Sequence, residues 1–178
     1  MAALVLGHGA GGGVESPDLV GAARAAGEAG LTVALVEQPY RVAGRRSPAP
    51  AKQLDAAWVS VIEQLGFEVP LIAGGRSSGA RVACRTAGDT SAVAVLCLAF
   101  PLHPPGKGDD PSKSRLAELD AVNVPTLVVQ GESDPFGMPP DGPGRTVVRV
   151  PGNHSLRNTG AVATAVSAWL ASVMRAAA

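Results

Sequence analysis

The sequence is short of the features that mark several special classes of protein. Of its 178 residues, 15 are Lys or Arg and 15 are Asp or Glu, a formal net charge of zero. A surface built for polyanions needs a basic excess, so no nucleic-acid partner is expected. There are two cysteines, Cys84 and Cys97. They make no disulfide framework, and both fall in apolar patterns where a free thiol acts as a small buried hydrophobe. The longest uninterrupted apolar run, AVAVLCLAF at 92–100, has nine residues, too few to span a bilayer. No basic stretch precedes the first apolar run, which stops at Gly7 after about six residues, so no signal peptide is expected. Aromatic residues make up 3% of the chain and offer no stacking or sugar-binding platform. These absences lead to the expectation of a cytoplasmic protein with no membrane partner, monomeric or homodimeric, with a small molecule as its ligand.

The chain is 46% hydrophobic, and 178 residues suffice for a single domain with a substantial core. Apolar runs of strand length alternate with segments of helical period. Strands are expected at 2–6, 31–36, 70–74, 92–99, 125–130 and 145–150. Most are continuously apolar, as in a parallel sheet covered on both faces. A helix is expected from about 17 to 29, with Ser16 as its N-cap and Pro17 in its first turn. Another is expected from about 50 to 65, where Leu54, Ala57, Trp58, Val61, Ile62 and Leu65 form one apolar stripe and Gly66 supplies the stop. Further helices are expected from Ser78, over about 112–120, and over about 159–174 with Val162, Val166, Trp169, Leu170 and Val173 on one face. Repeated β-α units with right-handed crossovers make a three-layer αβα sandwich. Segments 40–50 and 101–112, rich in Pro, Gly and charge, read as loops.

Two glycine-rich motifs carry the chemistry. The first is LVLGHGAGGG at 4–13, where Gly7, Gly9 and Gly12 fit the dinucleotide fingerprint G-x-G-x-x-G. Glu37, closing the second strand, stands near where that fingerprint wants a ribose-binding acid. Against it, a Rossmann helix starts within the glycine motif to meet the pyrophosphate. Here the helix signal, Ser16-Pro17, comes several residues later. The alternative is an oxyanion loop that turns a backbone N–H toward developing negative charge.

The second motif is GGRSSG at 74–79, in which Gly75, Ser77 and Gly79 fit G-x-S-x-G between a strand and a helix. A nucleophile at the tip of so tight a turn is strained, and side chains on either flank would strike the neighbouring strand and helix. The plainer alternative is a βα turn in which Ser77 or Ser78 caps the helix. A nucleophilic serine needs a base and an acid to orient it. Of the three histidines, His154 in VPGNHSL lies after the last strand and before the last helix, where it can return to Ser77. QGESDPFG at 130–137 supplies the acid after the fifth strand. Asp134 is preferred, with Glu132 and Asp141 in reserve, although Asp134 also fits a simple Asx-turn before Pro135. His8 is expected to order its glycine loop by hydrogen bonding, and His103 to sit on a rim or loop. Arg76 and Arg81 flank the nucleophile and are expected to be solvated or ion-paired. His8, Arg76 and His103 are nevertheless kept as candidates for substrate contact.

Taken together, GHGAGGG, GGRSSGA, QGESDPFG and GNHS resemble the α/β-hydrolase superfamily over nearly the whole chain. FPLHPPGK at 100–107 resembles a group of small lidless members related to dienelactone-hydrolase-like and testis-expressed hydrolase-like proteins. The resemblance implies a compact α/β-hydrolase fold with six parallel strands in the order 2-1-3-4-5-6. The first two antiparallel strands of the full fold are missing. With about a dozen residues between Phe100 and the next helix, a cap domain has no room, and an open cleft for small substrates is expected. The resemblance also implies a serine esterase with Ser77, Asp134 and His154 as its catalytic residues. Gly9, Gly75 and Gly79 would be its motif glycines, and the Ala10 and Ser78 N–H groups its oxyanion hole. No metal or organic cofactor is called for. Activity would rise with pH as His154 loses its proton, roughly through pH 6–7.5. Some members of the superfamily have lost catalysis, so a silent binding protein of the same fold is the rival reading.

Overall fold

The computed structural model describes residues 1–176. Six strands form one sheet: β1 (Ala3–Gly7), β2 (Thr32–Val36), β3 (Leu71–Arg76), β4 (Ala94–Leu98), β5 (Thr126–Gly131) and β6 (Arg145–Val150). All five pairings are parallel, in the order β2-β1-β3-β4-β5-β6, as the resemblance implied. The helices are α1 (Pro17–Glu28), α2 (Pro39–Val42), α3 (Ala51–Leu65), α4 (Ser78–Arg85), α5 (Leu116–Asp120) and α6 (Thr159–Ala176). None of the described helices is long and apolar enough to cross a membrane.

Strand alternation divides the core in two. Leu4, Leu6, Ile72, Leu96, Leu98, Leu127 and Val129 point to one face, where α1 and α6 cover them. Val5, Ala73, Val95, Cys97 and Val128 point to the other, against Leu54, Trp58 and Ile62 of α3 and the small residues of α4. Every residue of β1, β4 and β5 is buried, which is why β1 and β4 are apolar without a break, while β5 buries the polar Thr126 and Gln130 as well. Cys84 and Cys97 are both buried and free, with their sulfurs 3.5 Å apart. The α6 stripe is inside as read, with Val162, Val166 and Leu170 fully buried.

The differences from expectation fall at edges and ends. β2 borders the sheet, and its residues are half-exposed or exposed, unlike those of a strand covered on both faces. Leu65, assigned to the α3 stripe, is 40% exposed because it sits in the last turn, past the end of the sheet contact. Gly66 does stop α3, in the left-handed conformation at φ 56°. Ser16 holds the N-cap position of α1 but makes no cap bond, because its hydroxyl donates to the Gly13 carbonyl at 2.8 Å. The helix expected over 112–120 is a 3₁₀ turn at Pro111–Lys113 followed by α5, and α2 runs into the start of the segment read as loop at 40–50.

Register then sets the site. Gly7 pairs with Gly75, so β1 and β3 end level and release their glycine loops side by side. Gly131 pairs with Val150, which brings the loops after β5 and β6 together at the same edge of the sheet.

Candidate active site

Ser77 stands between β3 and α4 with φ 52° and ψ −110°, a conformation that non-glycine residues avoid and that costs about 1–3 kcal/mol. Its surroundings hold it there. The Ser77 N–H donates to Leu98 O at 2.9 Å, and its carbonyl accepts from Arg81 N. The flanking glycines have a steric reason. A Cβ on Gly75 would lie 2.5 Å from the Gly7 carbonyl oxygen and 2.7 Å from the Gly79 carbonyl carbon. A Cβ on Gly79 would overlap that same Gly7 oxygen. The third motif glycine, Gly9, leaves 3.3 Å between such an atom and Ser77 Cβ.

Ser77, His154 and Asp134 come together in one hydrogen-bonded chain. His154 Nδ1–H donates to Asp134 Oδ2 at 2.8 Å, which leaves Nε2 to accept from the Ser77 hydroxyl at 3.0 Å. Asp134 has no exposed side-chain surface, and that of His154 is 17% exposed. The Asx-turn weighed against a site role for Asp134 is present as well. Oδ1 accepts from Phe136 N at 2.9 Å while Oδ2 meets the imidazole. Gln130 Nε2 donates to Oδ2 at 2.9 Å, and the Phe136 ring packs on the imidazole with centroids 4.2 Å apart. The reserves stay outside this chain. Glu132 is exposed, and Asp141 accepts from Val147 N.

The loop after β1 is anchored from the end of β2. Gln38 N donates to His8 Nε2 at 2.9 Å, so the other ring nitrogen carries the proton and donates to Gly9 O at 2.8 Å. Tyr40 reaches the Ala10 carbonyl, and Arg41 reaches the Gly12 carbonyl at 2.9 Å. Ala10 and Ser78 both line a cleft of about 770 Å³ that opens over Ser77. Among the described residues neither amide has a protein acceptor. The dinucleotide reading fails on geometry, because α1 begins at Pro17, beyond the glycine motif, and Glu37 is exposed on the chain beyond β2.

The structure places the three candidates for substrate contact differently. His8 is fully buried, with both ring nitrogens engaged by its own loop and the chain beyond β2. His103 bonds the Pro104 carbonyl, packs over Gly137 and does not line the cleft. Arg76 does line it, but its guanidinium is engaged with Asp18 Oδ2 at 2.8 Å and with the His154 carbonyl at 2.9 Å. Asp18 was not singled out in the sequence. Its side chain is 1% exposed, and burial raises its pKa against the pull of Arg76. Arg81 forms a two-pronged pair with Glu118 at 2.6 and 2.8 Å. Gln38, Tyr40, Gln130 and Phe136 were also unforeseen. The one faint signal was that Gln130 and Phe136 fall within the segment already quoted for Asp134.

Among known proteins, the family model described as an alpha/beta hydrolase domain matches residues 1–175. No curated protein matches the chain. A hydrolase of the α/β superfamily from Xanthomonas campestris superposes with a TM-score of 0.72 at 17% identity, covering 97% of this chain and 99% of its own. A second protein from that organism, described as a serine hydrolase without a lid, gives 0.72 at 22% identity, covering 94% and 82%. Est1E from Butyrivibrio proteoclasticus, solved with ferulic acid bound, gives 0.77 at 16% identity, covering 98% and 90%. At these identities the structures speak for the fold, and the family match over nearly the whole length settles membership: the chain belongs to the alpha/beta hydrolase domain family and is a hydrolase.

Proposed function

We propose that the protein is a serine esterase acting on small carboxylic esters or related acyl compounds through an acyl-enzyme. Ser77 Oγ attacks the carbonyl carbon while His154 Nε2 takes its proton. Asp134 keeps the imidazole in the tautomer whose Nε2 is free and stabilises the imidazolium that forms. The Ala10 and Ser78 amides receive the developing oxyanion, each worth about 3 kcal/mol in the transition state. His154 then protonates the leaving alcohol, and water, activated by the same imidazole, releases the acid. The site asks for no metal or organic cofactor. We further propose that the chain works as one domain in the cytoplasm, as a monomer or homodimer.

The observation that carries this reading is the Ser77–His154–Asp134 chain, with bonds of 3.0 and 2.8 Å, meeting at a serine held at φ 52°. The test is labelling by a fluorophosphonate probe, wild type against Ser77→Ala, with the modified peptide identified by mass spectrometry. Labelling confined to Ser77 and lost in the variant is expected. A well-folded wild type that takes no label would make this a silent member of the fold.

A further inference from the structure

The chain as a whole carries no net charge, yet the cleft over Ser77 is lined by five arginines: Arg76, Arg81, Arg85, Arg115 and Arg157. Three of them are neutralised. Arg76 pairs with Asp18 and Arg81 with Glu118, while Arg85 takes Asp55 at 2.6 Å and shares Glu118 at 3.4 Å. That accounts for every carboxylate in these pairs. Among the described residues, Arg115 and Arg157 have no acidic partner within 4.0 Å.

Arg115 is the more telling of the two. It is half-buried beside α5, and Nη1 donates to the Pro101 carbonyl at 2.9 Å. That bond holds one end of the guanidinium, and among the described residues the edge formed by Nε and Nη2 has no acceptor. Burial and the nearby Arg81 charge both press against its protonated form, and Glu118 offsets them in part. A partly desolvated cation with a like charge beside it has more to gain from an anion than a solvated one. Arg157 adds a second positive charge from an exposed position three residues beyond His154.

We infer that the cleft selects esters that carry a free carboxylate, gripped by the open edge of Arg115 and attracted by Arg157. A planar fork meets a carboxylate with two parallel bonds, whereas a lysine would offer a single point charge. This inference rests on the esterase reading, and the experiment separates the two.

The specificity constants for 3-acetoxybenzoate and for its neutral methyl ester are compared in wild type, Arg115→Gln, Arg115→Lys and Arg157→Gln. The wild type is expected to prefer the charged ester by about tenfold or more, the scale of a two-pronged ionic hydrogen bond. The ratio should collapse toward unity in Arg115→Gln, recover in part in Arg115→Lys, and shrink with added salt. A wild-type ratio near unity, or one that neither Arg115 variant changes, overturns the inference. If neither ester is cleaved the esterase reading fails, and titration of folded Ser77→Ala protein with 3-hydroxybenzoate then decides the anion site alone. Binding weakened by Arg115→Gln supports it, and no binding overturns it. Competition by inorganic phosphate as strong as that by 3-hydroxybenzoate overturns the assignment to carboxylates.

Discussion

Two buried carboxylates hold the same histidine from opposite ends. Asp134, on the loop after β5, holds the His154 ring through Nδ1. Asp18, in the first turn of α1, holds the His154 backbone through Arg76, whose Nη2 donates to the carbonyl of that residue. Both side chains are almost wholly out of solvent, at 0% and 1% exposure. They differ in what the partner does. In the proposed reaction Asp134 touches a group that moves a proton, whereas Asp18 touches a permanent cation that is tied to the loop carrying His154. On the proposed mechanism, similar burial serves chemistry on one side of the cleft and rigidity on the other.

The contrast should appear first as a split between rate and stability. Asp134→Asn keeps the shape but offers an amide where the imidazole needs an acceptor, which favours the wrong tautomer. The turnover rate is expected to fall about 10⁴-fold, measured on an activated ester. Unfolding by urea should move far less, because Phe136 N can still bond the amide oxygen. An equal loss of rate and stability would mean that Asp134 is a structural residue after all.

Arg76→Met should give the reverse. It leaves Asp18 buried without its partner, at a cost of about 3–5 kcal/mol when a buried pair is broken on one side. The Arg76 side chain is 15% exposed, so the lower end of that range is expected. The double variant Asp18→Leu with Arg76→Met removes the orphaned charge and should recover much of the stability. It should recover less of the rate, because the tether to the His154 carbonyl stays lost. A double variant as unstable as the single one would show that the ion pair, and not the stranded carboxylate, carries the energy.

The same pair of carboxylates marks what could be read in the sequence and what could not. The alternation of strands and helices is written in local periodicity, whereas the strand order came only through the resemblance; Ser77, Asp134 and His154 are found because each follows a strand and has a chemistry that demands the other two. Asp18 is one acidic residue in the first turn of a helix, a common place for one. Only the fold brings it to an arginine 58 positions away. His8 could be foreseen as a loop anchor, but its partner, the Gln38 amide, lies 30 residues on. Arg81 and Arg115 look alike as residues near the site. Their difference, one neutralised and one not, depends on where Glu118 turns. Ser16-Pro17 marked the start of α1 correctly while misassigning the hydroxyl, since a cap bond and a bond back to Gly13 share the same residue pattern.

The smallest effect is also the one most specific to Asp18. Burial raises its pKa above the ordinary 3.8 and outweighs the pull of Arg76. The folded protein therefore holds this proton to higher pH than the unfolded chain does. Wherever the folded state binds more protons, stability falls as pH rises. The contribution is fully present below 3.8 and is lost as pH climbs to the raised value. Asp18→Asn deletes this titration without touching Asp134. Subtracting its stability curve from that of the wild type, by urea unfolding across the acid range, should leave a difference that declines with rising pH and then levels off. A difference that rises instead would mean that Arg76 dominates burial and that Asp18 is held ionised.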